Sequence, residues 1–237
     1  MSVRTVAIIQ SSYIPWKGYF DIINDVDEFI FLDDVQYTVR DWRTRNRIKT
    51  ANGLMWLTVP AGSNRNRLIC DVTIEDSSWQ KRHWQTIRHN YSRAPYFREY
   101  ESFFEELYLG RTWTNLSDMN RHITQRIATD LLGIRTTFTD SRTYNAQGAR
   151  LGRILDLIRL SGAKRYLSGP SASNYLDIEK FKAIGVELKL KDYSDYPEYP
   201  QLYQPFEHTV SVIDLIFNTG PHAISYIWGH RSMSRKT

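Results

Sequence analysis

The sequence predicts an α/β protein with a mainly parallel sheet, flanking helices and an inserted helical region. Three observations predict it. Short β-branched apolar runs recur at residues 4–10 (RTVAIIQ), 28–35 (EFIFLDDV), 136–139, 165–168 and 186–191. Helical periodicity at residues 18–26, 151–160 and 177–185 separates several of these runs, and strands alternating with helices argue for a parallel sheet covered on both faces. Residues 77–133 carry helical periodicity without strands, so they read as an insertion.

Each element has a local reason. Residues 4–10 are the continuous apolar run of a strand buried on both faces. A loop with Pro15 and Gly18 follows, then a helix with Phe20, Ile22 and Ile23 facing inward, and the strand at 28–35 completes a βαβ opening. Residues 43–49 alternate basic with other side chains, Asn52-Gly53 marks a tight turn, and residues 54–59 return as the second strand of a hairpin ending at Pro60. In the insertion Asp76 and Ser77 are capping candidates. After them Trp79, His83, Trp84, Ile87 and Tyr91 share one helix face, leaving Lys81, Arg82 and Arg88 outside. Helices at 95–109, with Phe97, Tyr100, Phe104 and Tyr108 inward, and at 117–132, stopping at Gly133, complete it. These aromatic stripes read as core.

Beyond the insertion, Gly162 closes the helix at 151–160, Gly169-Pro170-Ser171 turns into further helix, and Asp177 caps the helix that ends at Gly185. Residues 194–206 (SDYPEYPQLYQPF) hold three prolines and three tyrosines and are expected to cross the surface in extended form. A last helix at 211–217 is broken by Asn218, Gly220 and Pro221, and the polar tail at 231–237 is expected to be mobile.

Composition narrows the function classes. A chain of 237 residues with 41% hydrophobic residues suits one folding unit, a single α/β domain over residues 1–237. No apolar run is long enough to span a bilayer, and the N-terminus lacks a secretory apolar stretch. The lone Cys70 excludes an intramolecular disulfide and a cysteine zinc site, which suits a reducing, cytoplasmic setting. A net charge of +5 is too moderate to identify a nucleic-acid binder by itself. The six histidines show no metal-binding spacing, and dinucleotide, P-loop and nucleophile-elbow motifs are missing. Aromatic content of 14% favours ring-lined pockets.

Ligands of open parallel sheets bind outside the carboxyl ends of the strands, where residues 10–19 (QSSYIPWKGY) fall. Gln10, Tyr13, Trp16, Lys17, Gly18 and Tyr19 are therefore candidate ligand-binding residues, with phosphate or carboxylate as the natural guest of a lysine near a helix N-terminus. The second strand ends in Asp33 and Asp34, whose side chains point to opposite faces unless the strand has already ended, so one acid is expected in the site. Asp34 is assigned as general base or as a contact for Mg²⁺, which takes one or two carboxylates and fills its shell with substrate phosphates and water. Arg43, Arg45, Arg47 and Lys49 alternate and are expected to form a single-faced row that faces the Lys17 loop. Arg45, Asn46 and Lys49 are expected to grip a phosphate. An edge strand guarded by charge is the competing reading of that row.

The motifs Gln10…Tyr13-Ile14-Pro15-Trp16-Lys17-Gly18-Tyr19-Phe20, Phe31-Leu32-Asp33-Asp34-Val35-Gln36-Tyr37 and Trp42-Arg43-Thr44-Arg45-Asn46-Arg47-Ile48 resemble those of the WbqC-like protein family. Later segments fit the same pattern: Tyr166-Leu167-Ser168-Gly169-Pro170, Tyr175-Leu176 and Ser211-Val212-Ile213-Asp214-Leu215-Ile216-Phe217-Asn218-Thr219-Gly220. Ser11 and Thr44 stand where members often carry Pro and Asn. The resemblance brings Ser168 and Gly169 into the candidate site. It implies a role in surface polysaccharide loci, including O-antigen loci, and transfer of an amino acid or similar acyl group to a sugar. The opening strand, loop, helix and strand also look distantly nucleotidyl transferase-like. The His-x-Gly-His motif of that fold is missing here, so Lys17 and Arg45 would have to supply the charge stabilisation of its imidazoles.

The leading expectation is a group-transfer enzyme of glycan precursor metabolism, with Asp34 and Lys17 as its chemical groups and an anionic or nucleotide-linked small molecule as ligand. A ligand-binding protein of the same pathway without turnover is the main rival, and an RNA-binding module the weaker one. No cofactor and no oligomeric state follow from the residues.

Overall fold

A computed structural model describes residues 3–170, 177–229 and 231. In chain order they form β1 (Thr5–Ile9), α1 (Lys17–Asn24), β2 (Glu28–Phe31), β3 (Arg45–Thr50), β4 (Gly53–Thr58), α2 (Ser78–Tyr91), α3 (Phe97–Leu109), α4 (Leu116–Arg126), β5 (Thr137–Asp140), α5 (Leu151–Ser161), β6 (Arg165–Ser168), α6 (Ile178–Ala183), β7 (Glu187–Leu190) and α7 (Val212–Thr219). The continuation into helix expected after Gly169-Pro170, the Tyr175-Leu176 motif and tail residues 232–237 lie outside the described residues.

Five strands make one sheet in the order β5-β2-β1-β6-β7, every pair parallel. The fold is thus the expected α/β one. Central strands read as unbroken apolar runs because helices cover both faces. Val6, Ile8 and Ile30 pack on one side with Leu157 and Ile158 of α5 and Phe181 of α6. Ala7, Phe29 and Phe31 pack on the other with Phe20, Ile22 and Ile23 of α1 and with the helices that lie between β4 and β5.

Those helices start and stop where local chemistry directs. Asp76 Oδ1 accepts from the Ser78 N–H at 2.8 Å at the start of α2, and Asn115 accepts from Asp118 N–H at 3.0 Å at the start of α4. The predicted helix at 117–132 runs from Leu116, but its last turn widens into a π-turn over Ile127–Leu131 before Gly133 leaves at φ +62°. Strands β3 and β4 form a separate antiparallel hairpin, turning where Asn52-Gly53 predicts.

Residues 194–206 lie mostly at the surface, as expected, but two of them turn inward as anchors. Tyr199 and Gln201 are buried, and both reach the buried Asp214 of α7. Asp214 Oδ1 accepts from Tyr199 Oη and Gln201 Nε2, and Oδ2 from Tyr91 Oη, each at 2.8 Å. Burial raises the Asp214 pKa against these three donors. The segment is a strap bonded through its polar groups to α7 and α2.

Tyr13 is placed by the insertion. Its ring is fully buried, and its hydroxyl lies 2.7 Å from both His83 Nδ1 and Tyr108 Oη. It therefore anchors the first loop to α2 and α3, and the expectation that it meets a ligand is corrected. Burial, helped by Arg82, lowers the His83 pKa from 6.5 to about 4. The folded state keeps His83 neutral while the unfolded chain protonates near 6.5, so this contribution to stability is present above pH 6.5 and lost as pH falls toward 4. The loss approaches roughly 3 kcal/mol at its limit. Denaturant unfolding between pH 7 and 4.5 checks this: the decline should be shallower in His83→Asn than in the parent chain, and equal slopes would contradict it.

Candidate functional site

The chain leaves β1 toward β2 on one side and leaves β6 toward β7 on the other. Loops diverge where that order reverses, so a crevice opens at the carboxyl ends of β1 and β6. A cleft of about 1200 Å³ lies there. Its floor is apolar, from Ile8, Ile9, Leu32, Ile154 and Tyr166, and Trp16, Tyr19, Trp42 and Tyr193 supply aromatic walls.

Seven of the expected residues line this cleft: Gln10, Trp16, Tyr19, Asp34, Asn46, Ser168 and Gly169. Tyr19 Oη donates to the Gln10 carbonyl at 2.9 Å, which holds the exit of β1 against α1. The Gln10 amide oxygen accepts from Arg43. Asn46 Nδ2 donates to the carbonyls of Tyr13 and Ile14 at 3.2 and 2.9 Å, so its amide shapes the loop as well as the cleft wall. Trp16 packs edge-on against Tyr193 and Tyr196, with ring centroids at 5.0 and 5.9 Å.

The two acids separate as expected, although both lie past the end of β2 at Phe31, where their hydrogen-bond partners and not strand alternation set their directions. Asp33 is wholly buried, accepting from Ser11 N–H at 2.8 Å and from Ser117 Oγ. Asp34 faces the cleft, with its side chain 10% exposed; Oδ2 is ion-paired to Arg153 and Oδ1 accepts from Ser141 Oγ at 2.6 Å. Both carboxylate oxygens of Asp34 thus have partners.

Four other expected residues lie elsewhere. Lys17 is only 2% exposed and turns away from the cleft beneath the strap, donating to the Pro197 carbonyl at 3.2 Å with Nζ 4.7 Å from the Tyr196 ring centre. Burial lowers its pKa to about 8, with Asp21 opposing. Gly18 does not give a ligand room, because the Trp16 indole lies over it. Arg45 stacks its guanidinium 4.3 Å from the Trp56 ring centre, and Lys49 is buried with Nζ on the Pro205 carbonyl. The basic row therefore does not act as one face toward Lys17. Arg43 precedes β3, and of the row only Arg43 and Arg47 line the cleft.

Two cationic residues escaped the sequence reading, Arg150 and Arg153 at the start of α5. The available signal was Gly148-Ala149-Arg150-Leu151-Gly152-Arg153, a glycine-flanked basic segment opening a helix after a strand. Arg47 Nη2 donates to the Thr209 carbonyl at 3.0 Å, Arg153 bonds the Ala146 carbonyl, and Arg150 forms no ion pair among the described residues. The Nε atoms of Arg43, Arg47 and Arg153 are buried with no acceptor among the described residues. Nor do any three His, Cys, Asp or Glu side chains among the described residues converge as a metal site. Asp34 would be the carboxylate met by a Mg²⁺ arriving on substrate phosphates.

A Cβ at Gly18 would sit 2.3 Å from Trp16 Cζ2, so Gly18→Ala must dislodge the indole. The expected cost is roughly 1–3 kcal/mol, together with a changed tryptophan emission. Denaturant midpoints and fluorescence of the variant check it; an unchanged midpoint would refute the packing role.

The family model for the WbqC-like protein family matches residues 10–226. A relative described as Uncharacterized protein Rv1507c, from Mycobacterium tuberculosis, is 42% identical over 227 residues, covering 95% of this chain and 98% of its own. No solved structure matches, so the distant likeness to nucleotidyl transferases stays a sequence expectation. No helix among the described residues is long and apolar enough to cross a membrane. With the match spanning both the cleft-forming segments and the strap, the chain belongs to the WbqC-like protein family.

Proposed function

We propose that this protein is a group-transfer enzyme acting on an anionic, nucleotide-linked or phosphorylated small molecule, in the modification of a surface glycan precursor. One observation carries the reading. Arg43, Arg47, Arg150 and Arg153 line the cleft, and Asp34 is the one carboxylate among its described lining residues. Such an excess of guanidinium groups suits a phosphate or carboxylate ligand, which offers planar forks of acceptors. Aromatic side chains beside an apolar floor suit a flat ring on the same ligand. The glycan context comes from the family resemblance alone.

In such a transfer the acceptor hydroxyl or amine bonds to the acyl carbon as the bond to a phosphate leaving group breaks. The electron pair departs with the phosphate, whose charge the arginines stabilise, and the acceptor's proton passes to that departing phosphate. Asp34 lies in the cleft but accepts from Arg153 and Ser141, so its supported role is to orient Arg153. That pairing also favours the second reading, a binding protein without turnover.

Thermal shift against ATP, nucleotide sugars and acyl carriers tests the class: a ligand at 100 times its Kd should add about 2.7 kcal/mol. If none of them stabilises the chain, the reading fails. Asp34→Asn separates the roles. As a positioning residue it should cost roughly 1–3 kcal/mol of stability and weaken binding of the ligand found. A general base would instead lose about 10² to 10⁴ in turnover with binding intact.

A further inference from the structure

The arginines of the cleft arrive from opposite layers of the molecule. Arg43 and Arg47 belong to the hairpin, which packs on α2 and α7, and its Ile48 and Leu57 join the core on the α1 face of the sheet. Arg150 and Arg153 belong to α5, whose Leu157 and Ile158 fill the core on the other face. Between them lies the apolar floor of Ile8, Ile9 and Leu32. An anion has no partner on that floor, so a single phosphate is not shared easily across it.

Each wall is separately equipped for an anion. On the hairpin wall Arg43 meets Asp41 at 3.4 Å, and Arg47 holds Thr209, which in turn bonds Glu207. On the α5 wall two arginines face one carboxylate, Asp34, on Arg153. The Arg153 Nε is unpartnered among the described residues, and Arg150 is exposed without an ion pair among them. The N–H groups of Leu151 and Gly152 at the start of α5 donate to no acceptor among the described residues, whereas those of Arg153 and Ile154 bond to Ala149 and Arg150 carbonyls. Taken together, the described residues that line the cleft set four arginines, two from each layer, against the single carboxylate of Asp34.

We infer that the cleft holds two anionic groups at once, one on each wall, so that donor and acceptor both carry a phosphate or carboxylate. This rests on reading the cleft as an anion site and adds that the acceptor is charged, which a neutral sugar is not.

Inorganic pyrophosphate in equilibrium dialysis with the full chain is the probe. Two equivalents should bind per chain. Arg47→Gln should weaken one by about tenfold or more and leave the other within about twofold, and Arg150→Gln, at an exposed position, should do the converse. A single equivalent in the parent chain, or one variant removing both, overturns the two-anion inference while the anion-site reading stands. No binding at all overturns both, and retention of both equivalents in both variants shows adventitious anions only.

Discussion

The buried carboxylate of Asp33 is the constraint on which the cleft depends. It stands at the end of β2, and its two oxygens take the Ser11 N–H from the exit of β1 and the Ser117 hydroxyl from α4. Burial pushes its pKa up, while Ser117 and Ser11 hold it down. A buried charge with these donors is tolerated only while every one of them stays in place. Asn120 extends the node, donating to the Arg43 carbonyl at 2.8 Å. Two strand exits, the first helix turn of α4 and the entry to the hairpin are thus tied to one side chain, and Asp34, next in sequence, is left with one direction in which to point.

Strand β2 shows where the sequence is legible. Alternation along a strand decides that neighbouring side chains face opposite ways, and the apolar run before Asp33 shows that the strand is buried. The parallel sheet and the aromatic core of the insertion follow from such periodicities, whereas Asp33 and Asp34 lie just past β2 and take their directions from Ser11 and Ser117 on one side and Ser141 and Arg153 on the other. Lys17 shows where legibility ends. A lysine at a helix start can turn to either side, and the group that decides is the Pro197 carbonyl, 180 residues further along the chain. The strap hides its purpose in the same way, since prolines and tyrosines suggest an extended surface segment and do not reveal that Asp214 collects them.

The basic row failed for a related reason. Period two places Arg45, Arg47 and Lys49 on one face of β3, but their surroundings change along the strand. Trp56 stacks on Arg45, Thr209 holds Arg47, and the strap covers Lys49. A shared face is a local property, whereas exposure to a cleft depends on what the rest of the chain lays over that face.

A parallel sheet of this order requires only a helix between β2 and β5, yet residues 32–136 add a hairpin and three helices. Their effect is to hold the hairpin rigidly. The Lys49 N–H donates to Tyr91 Oη at 2.9 Å, and Tyr91 in turn donates to Asp214. Three of the eight buried unpartnered polar side-chain atoms among the described residues are nevertheless the cleft arginines' Nε atoms. Each such donor costs roughly 1–3 kcal/mol. Asn46 beside them is fully paired, donating to the Tyr13 and Ile14 carbonyls and accepting from the Arg47 N–H. The same framework brings Arg43, Arg47, Arg150 and Arg153 from two layers to one cleft whose described lining holds a single carboxylate, Asp34, so that like charge gathers where the layers meet.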